Sequence, residues 1–347
     1  MVKYGENKAN LDNMTNETVI TKEEKRDALN RELIEAAIHG DVNKVRELIG
    51  KGVDVNVTNP DPERETALIV AAEHGNADVV EILIKGGAEV DATGEYGKIV
   101  LMTAAEHGKV EVVNALIEKG VDVNVADREG KTALILAAEN GKAEVVDTLI
   151  KGKAKVNSKD KWGRTALIEC AAYGDAEVVK ALIKAGAEVD AKDKYGSTAL
   201  IGGAAYGDAE VVKVLIEKGA DINAKDMWDS TALIAAAEFG KAEAVRALIE
   251  KGAEVDAKDN IGETALMEAA WNGKVEAVKV LIDNGADVNA TDRDGKTARI
   301  LAAENGKAEV VDTLIKSGAE VGAADKEVLP RIKRGAGDSK NEPNGLA

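Results

Sequence analysis

The chain has almost no cysteine: Cys170 is the single one among 347 residues. One thiol excludes an intramolecular disulfide framework, and such frameworks belong to oxidising compartments. Cys170 lies in the apolar stretch ALIECAA, at a position that takes small residues, so we expect a packed core thiol. This cysteine usage suits a reducing interior and favours a cytoplasmic protein.

Long apolar runs are missing as well. No segment approaches the roughly 18 apolar residues that a membrane span requires, and the N-terminus has no basic stretch followed by an apolar one. The sequence therefore predicts neither a transmembrane helix nor a secretory signal. Export into a host cell stays open as an alternative, because the short ends carry no decisive export code.

Basic residues are outnumbered by acidic ones. Lys and Arg total 46 against 63 Asp and Glu, which gives a net charge of −17 at pH 7. A surface of that sign repels phosphate backbones, so nucleic acid is not expected as a partner. We favour the interpretation that the charge keeps an elongated protein soluble, and a preference for basic ligands is the alternative.

Patterns that carry catalytic chemistry are absent too. The sequence has no nucleophile elbow, no phosphate-cradling glycine loop and no His–Cys or His–Glu spacing suited to a metal. His39, His74 and His107 recur at equivalent positions, but side chains stacked about 10 Å apart cannot share one ion, whose ligands lie near 2 Å. They either extend a binding face as pH-sensitive groups or end helices before glycine, and we favour the second. We predict no enzyme, no cofactor and no metal site.

What dominates the sequence is a repeat, seen most clearly in residues 159–191, KDKWGRTALIECAAYGDAEVVKALIKAGAEVDA. The threonine of its TAL motif marks the register, and one register position is filled by Ile99 instead. The threonines recur in steps of 33 residues as Thr66, Thr132, Thr165, Thr198, Thr231, Thr264 and Thr297. Similarity at a fixed period of this length is the signature of a stacked repeat array.

Each unit is predicted to be a pair of short helices. Thr165 is placed to cap the first helix and Gly174 to end it. The second helix has apolar residues such as Val178 and Leu182 at helical spacing and ends at Gly186. The link VDAKDKYGS then reads as a tight hairpin turn. One pair is too small to bury its apolar side chains alone, so neighbouring units must stack.

These motifs resemble the ankyrin repeat. They read D-x-x-G-x-T-A-L-x-x-A-A-x-x-G, then E-V-V-x-x-L-I and G-A-x-V-[DN]-A, with TALI or TALM where that family more often has TPLH. The resemblance covers roughly residues 28 to 323 in about nine repeats. It implies an all-α solenoid of stacked helix pairs with protruding hairpin loops, which that family uses to bind other macromolecules.

The array is bounded by two segments without periodicity. Residues 1–27 and 324–347 are polar and mixed in charge, and we expect both to be mostly disordered tails, the first becoming helical just before Ala28. Between them we assign an N-terminal cap at 28–58, regular repeats at 59–290 and a C-terminal cap at 291–323. We number the units one to nine in chain order, so the unit of Thr165 is unit five.

Two irregularities accompany the caps. The link between units one and two is lengthened and contains Pro60 and Pro62, which predicts a longer and stiffer loop. Near the other end, Arg299 stands where regular units have a buried Leu. We interpret this arginine as the end of the array, where no further repeat packs on that face.

Aromatic residues make up only 3% of the chain, and their placement is not random. In an ankyrin stack, the inner surface is formed by the hairpin tips and the ends of the first helices. Eight of the nine aromatic residues fall at those positions, and two aliphatic residues share the hairpin tips. The candidate residues are Tyr96, Trp162, Tyr173, Tyr195, Tyr206, Met227, Trp228, Phe239, Ile261 and Trp271.

These rings are not needed for folding, because units four and nine have polar residues such as Asn140 and Asn305 at equivalent positions. Trp and Tyr often carry binding energy, and a contiguous exposed apolar surface marks an interaction site. We therefore predict a monomeric, non-enzymatic scaffold that binds a protein or peptide on its concave face through units five to eight.

Other interpretations stay open. The rings could cover the joints between hairpin and helix, or the face could hold a second copy or the chain's own tail near Val328 and Leu329. An effector that acts on host proteins is a further alternative. Gly202 and Gly203 weaken their helix, which either lets a ligand approach or reflects drift.

Overall fold

The computed structural model describes residues 22–59, 65–93 and 98–321. Within these ranges the chain forms eighteen helices in nine consecutive pairs. The first helices of the pairs are α1 (Lys22–His39), α3 (Ala67–His74), α5 (Val100–Glu106), α7 (Ala133–Glu139), α9 (Ala166–Tyr173), α11 (Ala199–Ala205), α13 (Ala232–Phe239), α15 (Ala265–Trp271) and α17 (Ala298–Glu304). The second helices are α2 (Val42–Gly50), α4 (Ala77–Lys85), α6 (Val110–Glu118), α8 (Ala143–Lys151), α10 (Ala176–Lys184), α12 (Ala209–Glu217), α14 (Ala242–Glu250), α16 (Val275–Asp283) and α18 (Ala308–Lys316).

The helix pairs stack in sequence order. Helix α11 packs against α9 and α13, and α12 packs against α10 and α14, so like helices of neighbouring units meet. The same relation holds along the described units, and each pair also packs internally. The molecule is an all-α solenoid stabilised by interfaces between adjacent units, as the sequence predicted.

The first helices begin and end as the repeat motif predicted. Thr165 Oγ1 accepts a hydrogen bond from the backbone N–H of Ile168 at 3.3 Å, and the other register threonines make the same bond. Ile99 has no oxygen for this purpose and makes no cap. At the other end, Gly174 has a φ of 84°, a left-handed conformation that favours glycine.

The core between the helices consists of Ala, Leu, Ile and Val. Leu167, Val178 and Leu182 are each at most 1% exposed, and no aromatic ring of the described residues belongs to this core. Cys170 is fully buried within it, and its Sγ donates to the Leu167 carbonyl at 3.4 Å. Burial raises the pKa of the thiol. The prediction of a packed core cysteine is confirmed by this burial.

The links between units form hairpins held by aspartate side chains. Asp226 Oδ1 accepts the backbone N–H groups of Trp228 and Ser230 at 2.8 and 2.9 Å. Successive hairpins are joined by a single backbone bond, in which the N–H of Met227 donates to the carbonyl of Tyr195 at 2.8 Å. Equivalent bonds join the hairpins of units four to nine. The residues at the hairpin tips therefore lie side by side.

Two features refine the expectations for the ends of the chain. Helix α1 begins at Lys22, so the expected tail of residues 1–27 contains the first turn of a helix. Arg299 is buried, at 2% exposure, and its Nε donates to the Glu320 carbonyl at 2.9 Å. Its guanidinium group therefore turns onto the segment after α18, and burial lowers its pKa.

Several expectations fall outside the described residues. These are the remainder of the N-terminal tail, the loop with Pro60 and Pro62, and the C-terminal tail with Val328 and Leu329. Within the described residues, no helix is both long enough and apolar enough to cross a bilayer.

Candidate functional site

A recess of about 430 Å³ opens between the hairpins and the first helices of units six to eight. Tyr195 and Trp228 form its wall on the hairpin side, and Tyr206 and Phe239 form its wall on the helix side. Gly202 lies on its floor. Hairpin tips and first-helix ends, which the repeat register assigned to one surface, thus meet around a single concavity, which we call the recess.

The four rings of the recess are arranged in two pairs. Tyr195 and Trp228 stack with ring centroids 6.1 Å apart and planes 11° apart. Tyr206 and Phe239 meet edge to face with centroids 4.7 Å apart. Such pairs stabilise one another by about 0.5–1.5 kcal/mol, so the rings hold their positions without a ligand.

Most of the predicted ring residues are open to solvent. Tyr173, Tyr195, Tyr206, Trp228, Phe239 and Trp271 are between 40% and 64% exposed, and Met227 and Ile261 are exposed as well. Not all of them line the recess. Tyr173 lies beside Glu139 and Asn140 in a separate depression.

Trp162 differs from the other candidates because its ring is covered. It is half-buried, with Lys161 Nζ 4.2 Å and Arg164 Cζ 4.6 Å from its ring centroid. Arg164 also donates from Nε to Asp160 Oδ2 at 3.2 Å and places Nη1 2.9 Å from Glu169 Oε1. The sequence analysis did not anticipate this cover. Tyr96 lies outside the described residues.

Carboxylates also face the recess, and the spacing of the repeat did not predict them there. Glu238 and Glu268 line it, and oxygen atoms of Asp259, Glu263 and Glu268 lie within 4.8 Å of one another. Burial and a hydrogen bond with Glu263 raise the pKa of Glu268 to about 8, and burial raises that of Glu238. The site is therefore both aromatic and acidic.

The sequence does contain a signal that these carboxylates lack a basic partner. It lies at the position directly before the register threonine. Units three, four and nine have Lys there and unit five has Arg, whereas units six and seven have Ser and unit eight has Glu. Only the structure shows that this position faces the glutamate at the end of the first helix of the same unit. An example is the ion pair between Lys98 and Glu106 at 2.6 Å.

The three histidines act at the ends of their helices. Nδ1 of His39, His74 and His107 lies 2.8–2.9 Å from the carbonyl oxygen four residues earlier. Asn140 Nδ2 makes the equivalent bond to the Leu136 carbonyl at 2.9 Å. These contacts agree with the favoured interpretation, in which His and Asn complete a helix before glycine.

The stacked helix pairs, with hairpins and helix ends exposed on one face, define a repeat solenoid. A family model described as ankyrin repeats (three copies) matches residues 33–127, 89–160, 134–226 and 233–325. The chain belongs to the ankyrin repeat family. Ankyrin repeats are in general protein–protein interaction modules and typically non-enzymatic scaffolds. A comparison with curated proteins found no match.

Proposed function

We propose that this protein is a non-enzymatic scaffold that binds a protein or peptide partner on the face formed by the hairpins and first helices of units five to eight. The observation that carries the proposal is that, among the described residues, exposed aromatic rings lie on that face alone. All six rings found exposed occupy hairpin tips or first-helix ends, and the core is completed by aliphatic residues. The scaffold is further proposed to be cytoplasmic and monomeric.

The chain itself supplies the comparison that separates binding from folding. Units four and nine have Glu129 and Asp294 in place of the hairpin rings, and Asn140 and Asn305 in place of the helix rings. These units form the same helix pairs as their neighbours. Rings that the fold does not require, held open to solvent, favour a role in recognition, where Trp and Tyr side chains contribute about 2 kcal/mol or more each.

The experiment compares partner capture by the wild type and by the triple variant Tyr206→Asn, Trp228→Ala, Phe239→Asn. Asparagine is used because units four and nine already have it at the equivalent helix position. Immobilised proteins are incubated with cell lysate, and bound proteins are quantified by mass spectrometry. We expect the variant to lose the proteins that the wild type enriches, with a melting temperature within a few degrees.

The matched control replaces three exposed charged residues in the last turns of second helices, Lys184, Glu217 and Glu250, by alanine. This variant should retain capture. Equal capture by the aromatic variant would exclude the rings from partner binding, and a melting temperature far below that of the wild type would assign them to the fold. Light scattering of the wild type shows whether a second copy occupies the face.

A further inference from the structure

The recess contains glutamates that lack the lysine with which equivalent glutamates of other units pair. In units three and nine the residue before the register position is a lysine that pairs with the glutamate at the end of the same first helix. Lys98 contacts Glu106 at 2.6 Å, and Lys296 contacts Glu304 at 2.8 Å. In unit seven that lysine is replaced by Ser230, while the glutamate is kept as Glu238.

Unit eight departs further from this pairing. Glu263 stands in place of the lysine, and Glu268 adds a second carboxylate on the helix below it. Within the described part of the chain, no lysine or arginine forms an ion pair with Glu238, Glu263 or Glu268. The raised pKa of Glu268 agrees with the missing cation, because burial and neighbouring carboxylates both disfavour its ionised form, which a guanidinium group beside it would favour again.

Unit five shows how this chain holds a guanidinium group between a tryptophan ring and carboxylates. Arg164 lies over the ring of Trp162, with Cζ 4.6 Å from the centroid, and its guanidinium contacts both Asp160 and Glu169. Trp228 holds the position of Trp162 in unit seven, and Glu268 holds the position of Glu169 in unit eight. Both line the recess, where they belong to adjacent units rather than to one, and no arginine among the described residues lines it.

We infer that the recess binds an arginine side chain of an extended, basic segment of the partner, with the guanidinium over Trp228 and against Glu238 and Glu268. This inference rests on the proposed function and specifies the chemistry of the partner. Arginine fits because its planar group stacks on aromatic faces and donates in a fork to carboxylates. The floor leaves room for it, since a Cβ at Gly202 would have its nearest neighbour, Ala172 Cβ, at 3.8 Å.

The test uses three fluorescein-labelled nonapeptides in which glycine alternates with arginine, with lysine or with citrulline. Citrulline has nearly the shape of arginine without its charge. Fluorescence anisotropy should show that the wild type binds the arginine peptide at least about tenfold more tightly than the citrulline peptide, a difference typical of a charge pair inside a recess. The lysine peptide should bind with intermediate affinity.

Two variants separate the recess from general attraction to an acidic protein. The double variant Glu238→Gln, Glu268→Gln should weaken arginine-peptide binding about tenfold. Glu304→Gln removes a carboxylate from the same repeat position outside the recess and should leave affinity nearly unchanged. Gly202→Leu keeps every charge but fills the floor of the recess, and should abolish binding of the arginine peptide. The fold accepts leucine here, since Leu136 and Leu301 occupy the equivalent position.

The inference is overturned if the arginine and citrulline peptides bind equally, or if Gly202→Leu binds the arginine peptide as well as the wild type does. Circular dichroism melts establish that each variant is folded. Failure here is distinguishable from failure of the proposed function. If only the arginine inference fails, the aromatic triple variant still loses its lysate partners. If the proposed function fails, this variant keeps them.

Discussion

Asn223 Oδ1 accepts a hydrogen bond from the backbone N–H of Glu254 at 3.0 Å, and these residues belong to neighbouring units. The same bond recurs between successive units, with Asn or Asp as the acceptor. It explains the [DN] position of the repeat motif. The side chain at the end of one unit satisfies a backbone donor of the next.

Removing this contact should weaken the array by the value of one hydrogen bond. We expect Asn223→Ala to lower the free energy of unfolding in urea by about 1 kcal/mol. Asn223→Asp is the matched control, because Asp190 accepts the equivalent bond from Asp221 N at 2.9 Å. An alanine variant as stable as the aspartate variant would show that the bond contributes nothing to stability.

The register threonines should contribute through their caps. Thr231 Oγ1 accepts from the N–H of Ile234 at 3.3 Å, and the residue is 1% exposed. Thr231→Ala is expected to lower the free energy of unfolding by about 1 kcal/mol, because it leaves a donor at the helix start unsatisfied. Thr231→Ser keeps the hydroxyl and should lose less. Equal losses for the two variants, measured by urea unfolding, would assign the effect to the methyl group.

The two adjacent glycines of α11 should respond in opposite directions. A Cβ at Gly202 meets nothing closer than 3.8 Å, so Gly202→Ala should stabilise the helix by about 0.5–1 kcal/mol. A Cβ at Gly203 would lie 3.1 Å from Val211 Cγ1 and 3.5 Å from the Ala171 carbonyl oxygen, so Gly203→Ala should destabilise the protein. Thermal melts that rank the two variants the other way would contradict the packing described for α9, α11 and α12.

Glu268 should make stability depend on pH. Its pKa is raised from 4.5 to about 8 by burial, by a hydrogen bond with Glu263 and by the charges of Glu238 and Asp259. Between these two values the folded state binds a proton that the unfolded chain has released. The free energy of unfolding contributed by this group therefore falls as pH rises through that window.

Glu268→Gln should flatten that part of the pH profile and raise stability most at its alkaline end. The measurement is urea unfolding at the two ends of the window. Glu304→Gln serves as the control, because Glu304 is paired with Lys296, and its profile should fall as steeply as that of the wild type. A profile for Glu268→Gln as steep as this control would exclude the assigned pKa.

Much of the fold was predictable because its determinants are local. The hydroxyl of Thr165 begins a helix and the missing Cβ of Gly174 ends it, and both depend on a few neighbouring residues. The burial of Arg299 and the exact start of α1 at Lys22 were not predicted. The burial of Arg299 depends on a contact with the carbonyl of Glu320, which lies outside the helix that contains the arginine.

The position of the exposed rings was predictable from the sequence, and the chemistry around them was less so. The register placed the rings on one face because positions with equal spacing from each threonine meet in a stack. It did not show that Arg164 covers Trp162, nor that Glu263 and Glu268 lie together. Such pairings depend on the directions of long side chains from different elements, which spacing alone does not determine.

The backbone bond between Met227 and Tyr195, and its equivalents along the stack, has an evolutionary consequence. The main chain sets the step from one hairpin-tip side chain to the next, so the step is the same whichever residue stands at the tip. A tip residue can therefore be exchanged without changing the spacing between neighbouring tips. The reach of the surface can be changed separately, by gaining or losing a whole 33-residue block.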